Sequence, residues 1–365
     1  MSKIRVMVVD DSRFMVSLIS SVLQAAGDID VVGHALDGED AIRKAEQLRP
    51  DVITMDVVMP RLNGLEATRA IVTRYGIPII VLSAYTREGA SLTVDALRAG
   101  AVDCIAKPSG ERSMSLESVA GELVTKVRGV ADQSVGTKKS ASSRAVDPGR
   151  RISTSKPVTT SYSTLPALSM SALKTNASPP TLLIVGASTG GIQALNTLLP
   201  RFDQRVPFAI VVVQHFPAGF TSQLADRLDA ICSIRVVEAV AGQRLARATA
   251  FIAPGGKNLE ISSALRIRLS EDGQPGIMRP NIDVSFSSAA RALGPAVLGV
   301  ILTGMGRDGS QGVVDITRAG GRVLIQDFRE ATAYGMPRAA YETGSYDALL
   351  QLEQIPNHIL RLCNL

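Results

Sequence analysis

A polar stretch of 50 residues divides this 365-residue chain and limits what it can fold into. Residues 131–180 are rich in Ser, Thr and Pro, contain few large apolar side chains, and hold seven basic residues against two acidic ones. A segment with so little apolar surface to bury does not offset the entropy lost on ordering, so we predict a flexible connector. We therefore predict two domains, residues 1–130 and 181–365, instead of one packed core.

The charge of the chain is concentrated in the same stretch. A net charge of +5 at pH 7 would by itself favour a nucleic-acid or membrane-surface partner. Outside residues 131–180, however, the chain holds 32 basic and 32 acidic side chains. Because neither domain carries a basic excess, we expect no nucleic-acid partner.

The cysteine and hydropathy patterns bear on location. The three cysteines, Cys104, Cys232 and Cys363, are far apart and lack the spacing of a metal site. No run approaches the about 18 apolar residues of a membrane span, and the first apolar run is too short for a signal peptide. We expect a cytoplasmic protein with reduced thiols and without membrane insertion.

Short β-branched runs alternate with amphipathic stretches in the first domain, which predicts an α/β fold with a five-stranded parallel sheet. The runs are residues 4–9, 31–35, 52–55, 79–83 and 102–106. Sites in such sheets form at the carboxyl ends of the strands, so we expect the polar residues that follow the runs to lie together. These residues are Asp10, Asp11, Asp56, Ser83 and Lys107.

Their chemistry fits a site that accepts a phosphoryl group. Converging carboxylates repel one another, and a hard divalent cation such as Mg²⁺ relieves that repulsion. The cation and Lys107 would neutralise a phosphate arriving at Asp56, and the Ser83 hydroxyl would donate a hydrogen bond. For single residues, a helix N-cap aspartate and a solvated turn lysine remain the alternatives.

The motifs of the first domain resemble those of the receiver domains of two-component response regulators. They are Val-Val-Asp-Asp-Ser at 8–12, Asp-Val-Ile-Thr-Met-Asp-Val-Val-Met-Pro at 51–60, Ser83-Ala84 and Lys107-Pro108. The resemblance implies a flavodoxin-like fold, phosphorylation of Asp56 by a histidine kinase phosphodonor, and Mg²⁺ held by Asp11, Asp56 and the Val58 carbonyl. Cys104 departs from the pattern, because receivers often place a switching aromatic residue there.

A glycine-rich turn opens the second domain. An apolar run at 181–185 leads into Gly186-Ala187-Ser188-Thr189-Gly190-Gly191. Such a turn either cradles a phosphate on backbone N–H groups or exposes a nucleophilic serine. The GxGxxG spacing is absent, and no acidic residue stands about 20 positions on to hold a ribose, which argues against a dinucleotide site.

A nucleophilic Ser188 needs a base. The chain has three histidines; His34 lies in the first domain and His358 near the carboxyl terminus. The third, His215, directly follows the apolar run 209–214, so we expect it at the same sheet edge as Ser188. A structural histidine is the alternative.

An acid that orients the base completes the set. The apolar run 296–302 precedes a loop with three glycines that contains Asp308. Asp308 would hold the imidazole tautomer and stabilise the imidazolium. Its alternative role is to cap the helix that begins near Ser310.

The motifs of the second domain resemble the catalytic domain of the chemotaxis protein-glutamate methylesterases, the CheB family. They are residues 186–191, Gln-His-Phe at 214–216, Ile-Ala-Pro-Gly-Gly-Lys at 252–257, Arg-Pro-Asn-Ile-Asp-Val at 279–284, Leu-Thr-Gly-Met-Gly-Arg-Asp-Gly at 302–309 and Tyr-Gly-Met-Pro at 334–337. The resemblance implies that Ser188, His215 and Asp308 are catalytic, with the Met305 N–H as an oxyanion donor and Thr189 nearby. Asn258 and Asn281 depart from the pattern, which often has His and Ser there.

This second resemblance also implies a function. It implies a doubly wound α/β methylesterase domain that hydrolyses glutamyl γ-methyl esters on chemoreceptors, often deamidates specific glutamines there, and needs no cofactor for the esterase reaction. A receiver joined to a hydrolase suggests gating by phosphorylation. Two alternatives are a DNA-binding response regulator, which would need a helix-turn-helix and a basic face, and a scaffold that keeps the fold without activity.

Overall fold

The computed structural model describes residues 3–84, 86–107, 116–141, 179–272 and 278–365. The first domain is a five-stranded parallel sheet packed with helices, as predicted. Its strands are β1 (Ile4–Val9), β2 (Ile29–Ala35), β3 (Val52–Asp56), β4 (Ile79–Ser83) and β5 (Asp103–Ala106). Its helices are α1 (Arg13–Ala25), α2 (Gly38–Leu48), α3 (Gly64–Tyr75), α4 (Arg87–Arg98) and α5 (Leu116–Ala141).

The strand order is β2-β1-β3-β4-β5, and every neighbouring pair is parallel. All residues of β3, β4 and β5 are buried, because a parallel sheet is covered on both faces. Side chains of Ser12, Asp37, Asn63 and Thr86 accept backbone N–H groups at the starts of α1 to α4. The flavodoxin-like prediction is confirmed.

The second domain contains a seven-stranded parallel sheet and a separate antiparallel hairpin. The sheet strands are β6 (Leu182–Ala187), β7 (Ala209–Gln214), β8 (Arg235–Glu238), β9 (Thr249–Ile252), β12 (Val297–Ile301), β13 (Arg322–Gln326) and β14 (Ala348–Leu350), and the hairpin pairs β10 (Asn258–Ile261) with β11 (Ile267–Ser270). The helices are α6 (Gly191–Leu198), α7 (Thr221–Asp229), α8 (Ile282–Leu293), α9 (Ser310–Arg318), α10 (Gly335–Glu342) and α11 (Gln354–Leu362).

The strand order β14-β13-β12-β6-β7-β9-β8 makes β6 the point where the winding direction changes. The chain passes from β6 to β7 on one side and later returns to place β12 on the other side. In doubly wound sheets the functional crevice opens beside such a strand, at the carboxyl ends. Ser188 directly follows β6. The predicted doubly wound α/β fold is confirmed.

The boundary between the domains stays a prediction. The last receiver helix, α5, continues to Ala141, so the amino end of the predicted connector is helical. Residues 142–178, most of that connector, lie outside the described residues, as does Pro108 of the first resemblance. Among the helices that the structure describes, none is both long and apolar enough to cross a membrane.

Candidate functional site

Three carboxylates converge at the carboxyl edge of the first sheet. Asp10, Asp11 and Asp56 each place an oxygen within 4.8 Å of the others. Asp10 is fully buried and Asp56 is 5% exposed, whereas Asp11 lies at the surface. The predicted cluster is therefore assembled by the ends of β1 and β3, which are neighbouring strands.

Lys107 is the cation of this cluster. Its Nζ lies 2.7 Å from Asp10 Oδ2 and 2.8 Å from Asp56 Oδ2. Burial raises the pKa of Asp56, and the charge of Asp10 adds to that effect while Lys107 opposes it. Burial alone would lower the pKa of Lys107, but the two carboxylates outweigh it and raise the pKa. Lys107 thus pairs with two of the three carboxylates.

This donor set fits Mg²⁺. Carboxylate oxygens are the ligands that Mg²⁺ prefers, and a second positive charge would relieve the repulsion that Lys107 leaves uncompensated. The Val58 N–H donates to Asp56 Oδ1 at 3.4 Å, and Ser83 ends the neighbouring strand β4. Asp11 and Asp56 are two of the residues predicted to hold the metal. Asp11 lies on the solvent-exposed side of the cluster, whereas Asp56 is buried.

Ser188 lies on a tight turn between β6 and α6. Its N–H donates to the Thr303 carbonyl at 3.0 Å, and its own carbonyl accepts the Gly191 N–H at 2.7 Å. Gly190 makes the turn possible, because its φ of 75° lies in the left-handed region that other residues rarely adopt. The serine is thereby presented at the carboxyl edge of the second sheet.

His215 and Asp308 lie at the same edge. His215 Nδ1 is 3.2 Å from Ser188 Oγ, and His215 Nε2 is 2.8 Å from Asp308 Oδ2. With a proton on Nε2, the imidazole donates to Asp308 and keeps Nδ1 free to accept a proton from Ser188. The His215 side chain is 8% exposed and that of Asp308 14%, so solvent has little access to this chain of hydrogen bonds. All three predicted residues are brought together.

Asp308 is held from several directions. Its Oδ2 also accepts the Ile282 N–H at 2.7 Å, and its Oδ1 accepts the N–H groups of Asp283 at 2.9 Å and Gly309 at 3.0 Å. Burial would raise the pKa of Asp308, but the hydrogen bond and charge of His215, with the backbone donors, lower it. The residue therefore stays an anion that accepts only.

A buried glutamine lies beneath the serine and the histidine. Gln214 Nε2 donates to the Ser188 carbonyl at 2.9 Å and to the His215 carbonyl at 3.0 Å. These two bonds fix the backbone of both residues relative to each other. The sequence motif 214–216 includes this glutamine, but the sequence offers no signal for its role.

The receiver contacts the loop that contains Ser188. The Thr189 hydroxyl donates to Asp103 of β5, and the other oxygen of that carboxylate accepts from Lys126 of α5 at 2.9 Å. Burial would lower the pKa of Lys126, but Asp103 and Glu122 outweigh it and raise the pKa. Thr189, predicted to lie near the oxyanion, is thus tied to a buried ion pair of the other domain.

Further contacts extend this interface. The Gly190 N–H donates to the Val102 carbonyl at 2.8 Å, and Gln193 Nε2 donates to the Leu97 carbonyl at 2.9 Å. At the rim, Arg227 of α7 pairs with Asp95 of α4 at 2.7 Å. The active-site edge of the second domain therefore packs against α4 and β5 of the receiver.

The loop that contains Met305 is also close to the receiver. A Cβ placed on Gly129 of α5 would lie 2.2 Å from Met305 Cε, so the helix approaches Met305 as closely as a glycine allows. Sequence reasoning identified neither Gly129 nor Asp103 and Lys126, because nothing in a single sequence predicts which faces of two domains meet. Asp283 was also missed, although it lies within the quoted motif 279–284.

Comparisons with known proteins agree with both halves of the chain. A family model described as CheB methylesterase matches residues 183–359, and a model described as response regulator receiver domain matches residues 6–117. A protein-glutamate methylesterase/protein-glutamine glutaminase of Pyrococcus abyssi is 37% identical over 98% of this chain and 93% of its own length. A protein of the same name from Symbiobacterium thermophilum is 38% identical over 98% of this chain and 96% of its own length.

Among solved structures, the CheB methylesterase catalytic domain of Thermotoga maritima is 33% identical, covering 50% of this chain and 98% of that domain, with a TM-score of 0.48. The relatives from Pyrococcus and Symbiobacterium match both domains and the order in which they occur. The chain therefore belongs to the CheB methylesterase family, with a response regulator receiver as its first domain and a methylesterase as its second.

Proposed function

We propose that the second domain hydrolyses γ-methyl esters of glutamyl residues on chemoreceptors with Ser188 as nucleophile, His215 as general base and Asp308 as its partner. The observation that carries the proposal is the continuous hydrogen-bonded chain from Ser188 Oγ through the imidazole to Asp308. The names of the full-length relatives support this substrate class.

In the first half-reaction, Ser188 Oγ attacks the ester carbonyl carbon while its proton passes to His215 Nδ1. The carbonyl oxygen becomes an oxyanion, for which the Met305 N–H is the proposed donor. When the tetrahedral intermediate collapses, the C–O bond to the methoxy group breaks, and that group takes the proton from His215 to leave as methanol. Asp308 stabilises the imidazolium in between.

The second half-reaction regenerates the serine. His215 takes a proton from water as the oxygen attacks the acyl carbon; the bond between that carbon and Ser188 Oγ then breaks, and the proton returns from His215 to Oγ. The glutamic acid side chain that is released loses its proton to solvent. A glutamine side chain presents the same acyl centre with an amine as leaving group. The same residues therefore support deamidation of specific glutamines, with release of ammonia and no cofactor.

The first test measures methanol released from a methylated chemoreceptor fragment. Ser188→Ala and His215→Ala should each lower kcat by about a thousandfold or more, because the two residues act as a unit. His34→Ala is the matched control, since His34 is an exposed residue of the receiver strand β2 and should leave the rate unchanged. Wild-type turnover by either active-site variant would reject the assignment.

Regulation forms the second part of the proposal. A histidine kinase phosphodonor would phosphorylate Asp56, with Mg²⁺ held by Asp11, Asp56 and the Val58 carbonyl. When bound, Mg²⁺ supplies positive charge that offsets the incoming phosphate. Lys107 would shift from the carboxylate of Asp56 toward the phosphoryl oxygens, and Ser83 would donate a hydrogen bond to them.

The contact between the domains supports a covered resting state. Asp103 engages the hydroxyl of Thr189, next to the nucleophile, and Val102 accepts the Gly190 N–H. A large receptor helix has to reach Ser188, so a receiver in this position would hinder it. Phosphorylation would activate the enzyme if phosphorylated Asp56 is more stable with the receiver displaced.

This gating is tested with a small-molecule phosphodonor and Mg²⁺. The wild type should gain about fivefold or more in demethylation rate, which corresponds to an ordinary coupling energy. Asp56→Ala should show no gain, because it lacks the acceptor carboxylate. Equal responses of the two proteins would contradict the gating proposal and leave the esterase assignment intact.

A further inference from the structure

At the amino ends of α8 and α9, a carboxylate in or beside each helix accepts backbone N–H groups from the start of the other helix. Asp308, two residues before α9 begins, accepts the N–H groups of Ile282 and Asp283 in the first turn of α8. In return, Asp283 Oδ1 accepts the N–H of Gly312, in the first turn of α9, at 2.7 Å. Because the first N–H groups of a helix have no partner within it, each helix supplies the acceptor that the other needs.

The exchange matters for α9 because that helix has no cap of its own. Gly309 occupies its N-cap position and offers no side-chain acceptor. The first N–H groups of α8, in contrast, have acceptors: Asp308 for Ile282 and Asp283, and the Asn281 side chain for Val284 at 2.9 Å. Asp283 therefore fixes the beginning of α9, and the beginning of α9 determines where Asp308 lies.

A small displacement of Asp308 would disturb the hydrogen bonds of its carboxylate. Its Oδ2 is shared between His215 Nε2 and the Ile282 N–H, at 2.8 and 2.7 Å. A small displacement of α9 along α8 would lengthen the bond to His215, and with it the contact that orients the imidazole. Errors near 1 Å in such groups cost rates of about a hundredfold in enzymes generally.

We propose that Asp283 is a positioning residue for the catalytic Asp308, a role that rests on the proposed Ser-His-Asp function. Asp283 does not contact the ester; it acts through the start of α9. Among the described residues, Asp308 is the ionisable neighbour whose charge acts on Asp283.

The chain offers a matched control. Asp315 also bridges the two helices, accepting the Ser287 hydroxyl of α8 at 2.6 Å and Gln311 Nε2 at 2.9 Å. It is partly buried like Asp283, but none of its hydrogen bonds reaches Asp308 or the first turn of α8. Asp315→Asn thus perturbs the same helix pair without touching the catalytic edge.

Methanol release by the full-length protein tests the proposal. Asp283→Ala should lower kcat about tenfold or more with KM within about twofold, because the general base loses its orientation while substrate contacts remain. Asp315→Asn should change kcat by less than about twofold. Equal losses in the two variants, or a loss confined to KM, would overturn the proposal.

Rescue by a conservative variant separates positioning from a general loss of stability. Asp283→Asn keeps an oxygen for the Gly312 N–H, so it should hold the start of α9 in place and keep kcat within about twofold of wild type, whereas Asp283→Ala should not. Equal losses of kcat in Asp283→Asn and Asp283→Ala would contradict the inference. Retained activity in Ser188→Ala would instead reject the proposed function itself.

Discussion

The carboxylate of Asp308 both contacts the imidazole of His215 and caps the start of α8. Its oxygens accept three backbone N–H groups and the imidazole of His215. These donors keep its pKa low despite burial, so it remains an anion at neutral pH. A carboxylate that is held ionised and immobile favours the His215 tautomer with its proton on Nε2, which supports the proposed role of Nδ1 as the base.

The pKa of Asp283 is shifted in the opposite direction to that of Asp308. Burial, with the neighbouring charge of Asp308, raises its pKa from 3.8 to about 6, although the Gly312 N–H opposes the shift. The folded protein therefore binds more protons than the unfolded chain between those two values, and its stability falls as pH rises through that window. An ionised Asp283 thus costs stability at neutral pH, at the position where we propose a catalytic benefit.

This linkage predicts how Asp283→Asn changes the free energy of unfolding. The variant lacks the titration, so relative to wild type it should gain stability between pH 4 and pH 7, on the order of 1 kcal/mol after allowance for partial exposure. Urea denaturation at the two pH values measures the difference. Asp315→Asn, compared in the same way, should show no such gain. A wild-type-minus-variant difference that is independent of pH would contradict the prediction.

At the scale of elements, the sequence predicted the ends of the long strands well. The long buried strands are mostly apolar, so β1, β4, β6 and β7 were visible as runs, and polar residues at or directly after their ends marked the carboxyl edges. That rule brought Ser188 and His215 to one place without any knowledge of tertiary contacts. It also grouped Asp10 with Asp56.

The short elements of the second domain were not predictable in the same way. Strands β8 and β11 have four residues each, mix buried and exposed positions, and lack an apolar run. Their pairing depends on neighbours far along the chain. The hairpin nevertheless matters, because β10 begins with Asn258, whose Oδ1 accepts the Asn281 N–H at 3.0 Å. The two departures from the family pattern therefore meet at the start of α8.

The role of Asp308 shows the limit of local reasoning. A position just before a helix predicts a cap for that helix, here α9. The structure instead has Asp308 capping α8, while Asp283 of α8 serves α9. A reciprocal arrangement of this kind depends on how two helices pack, and the sequence of either helix alone does not contain it.

At the scale of the whole molecule, the net charge of the chain does not account for the contact between the domains. The net +5 arises within residues 131–180, and the rest of the chain is balanced. The interface consists instead of apolar packing of α4 against α6 and α7, the ion pair of Arg227 with Asp95 at the rim, and a hydrogen bond from Thr189 to β5. Contacts between domains of one chain commonly permit relative domain motion, which the proposed reversible cover requires.

The backbone bond from Gly190 to the Val102 carbonyl reports directly on this cover. If the receiver moves away on phosphorylation, the Gly190 amide should exchange with solvent faster in the presence of phosphodonor and Mg²⁺, and only when Asp56 is intact. The Ser188 amide, two residues away, donates to Thr303 within its own domain and should not respond. One open population governs both observables, so the rise in Gly190 exchange, measured by NMR, should equal the rise in demethylation rate. A faster enzyme with unchanged Gly190 exchange would show that the receiver activates without leaving the active-site edge.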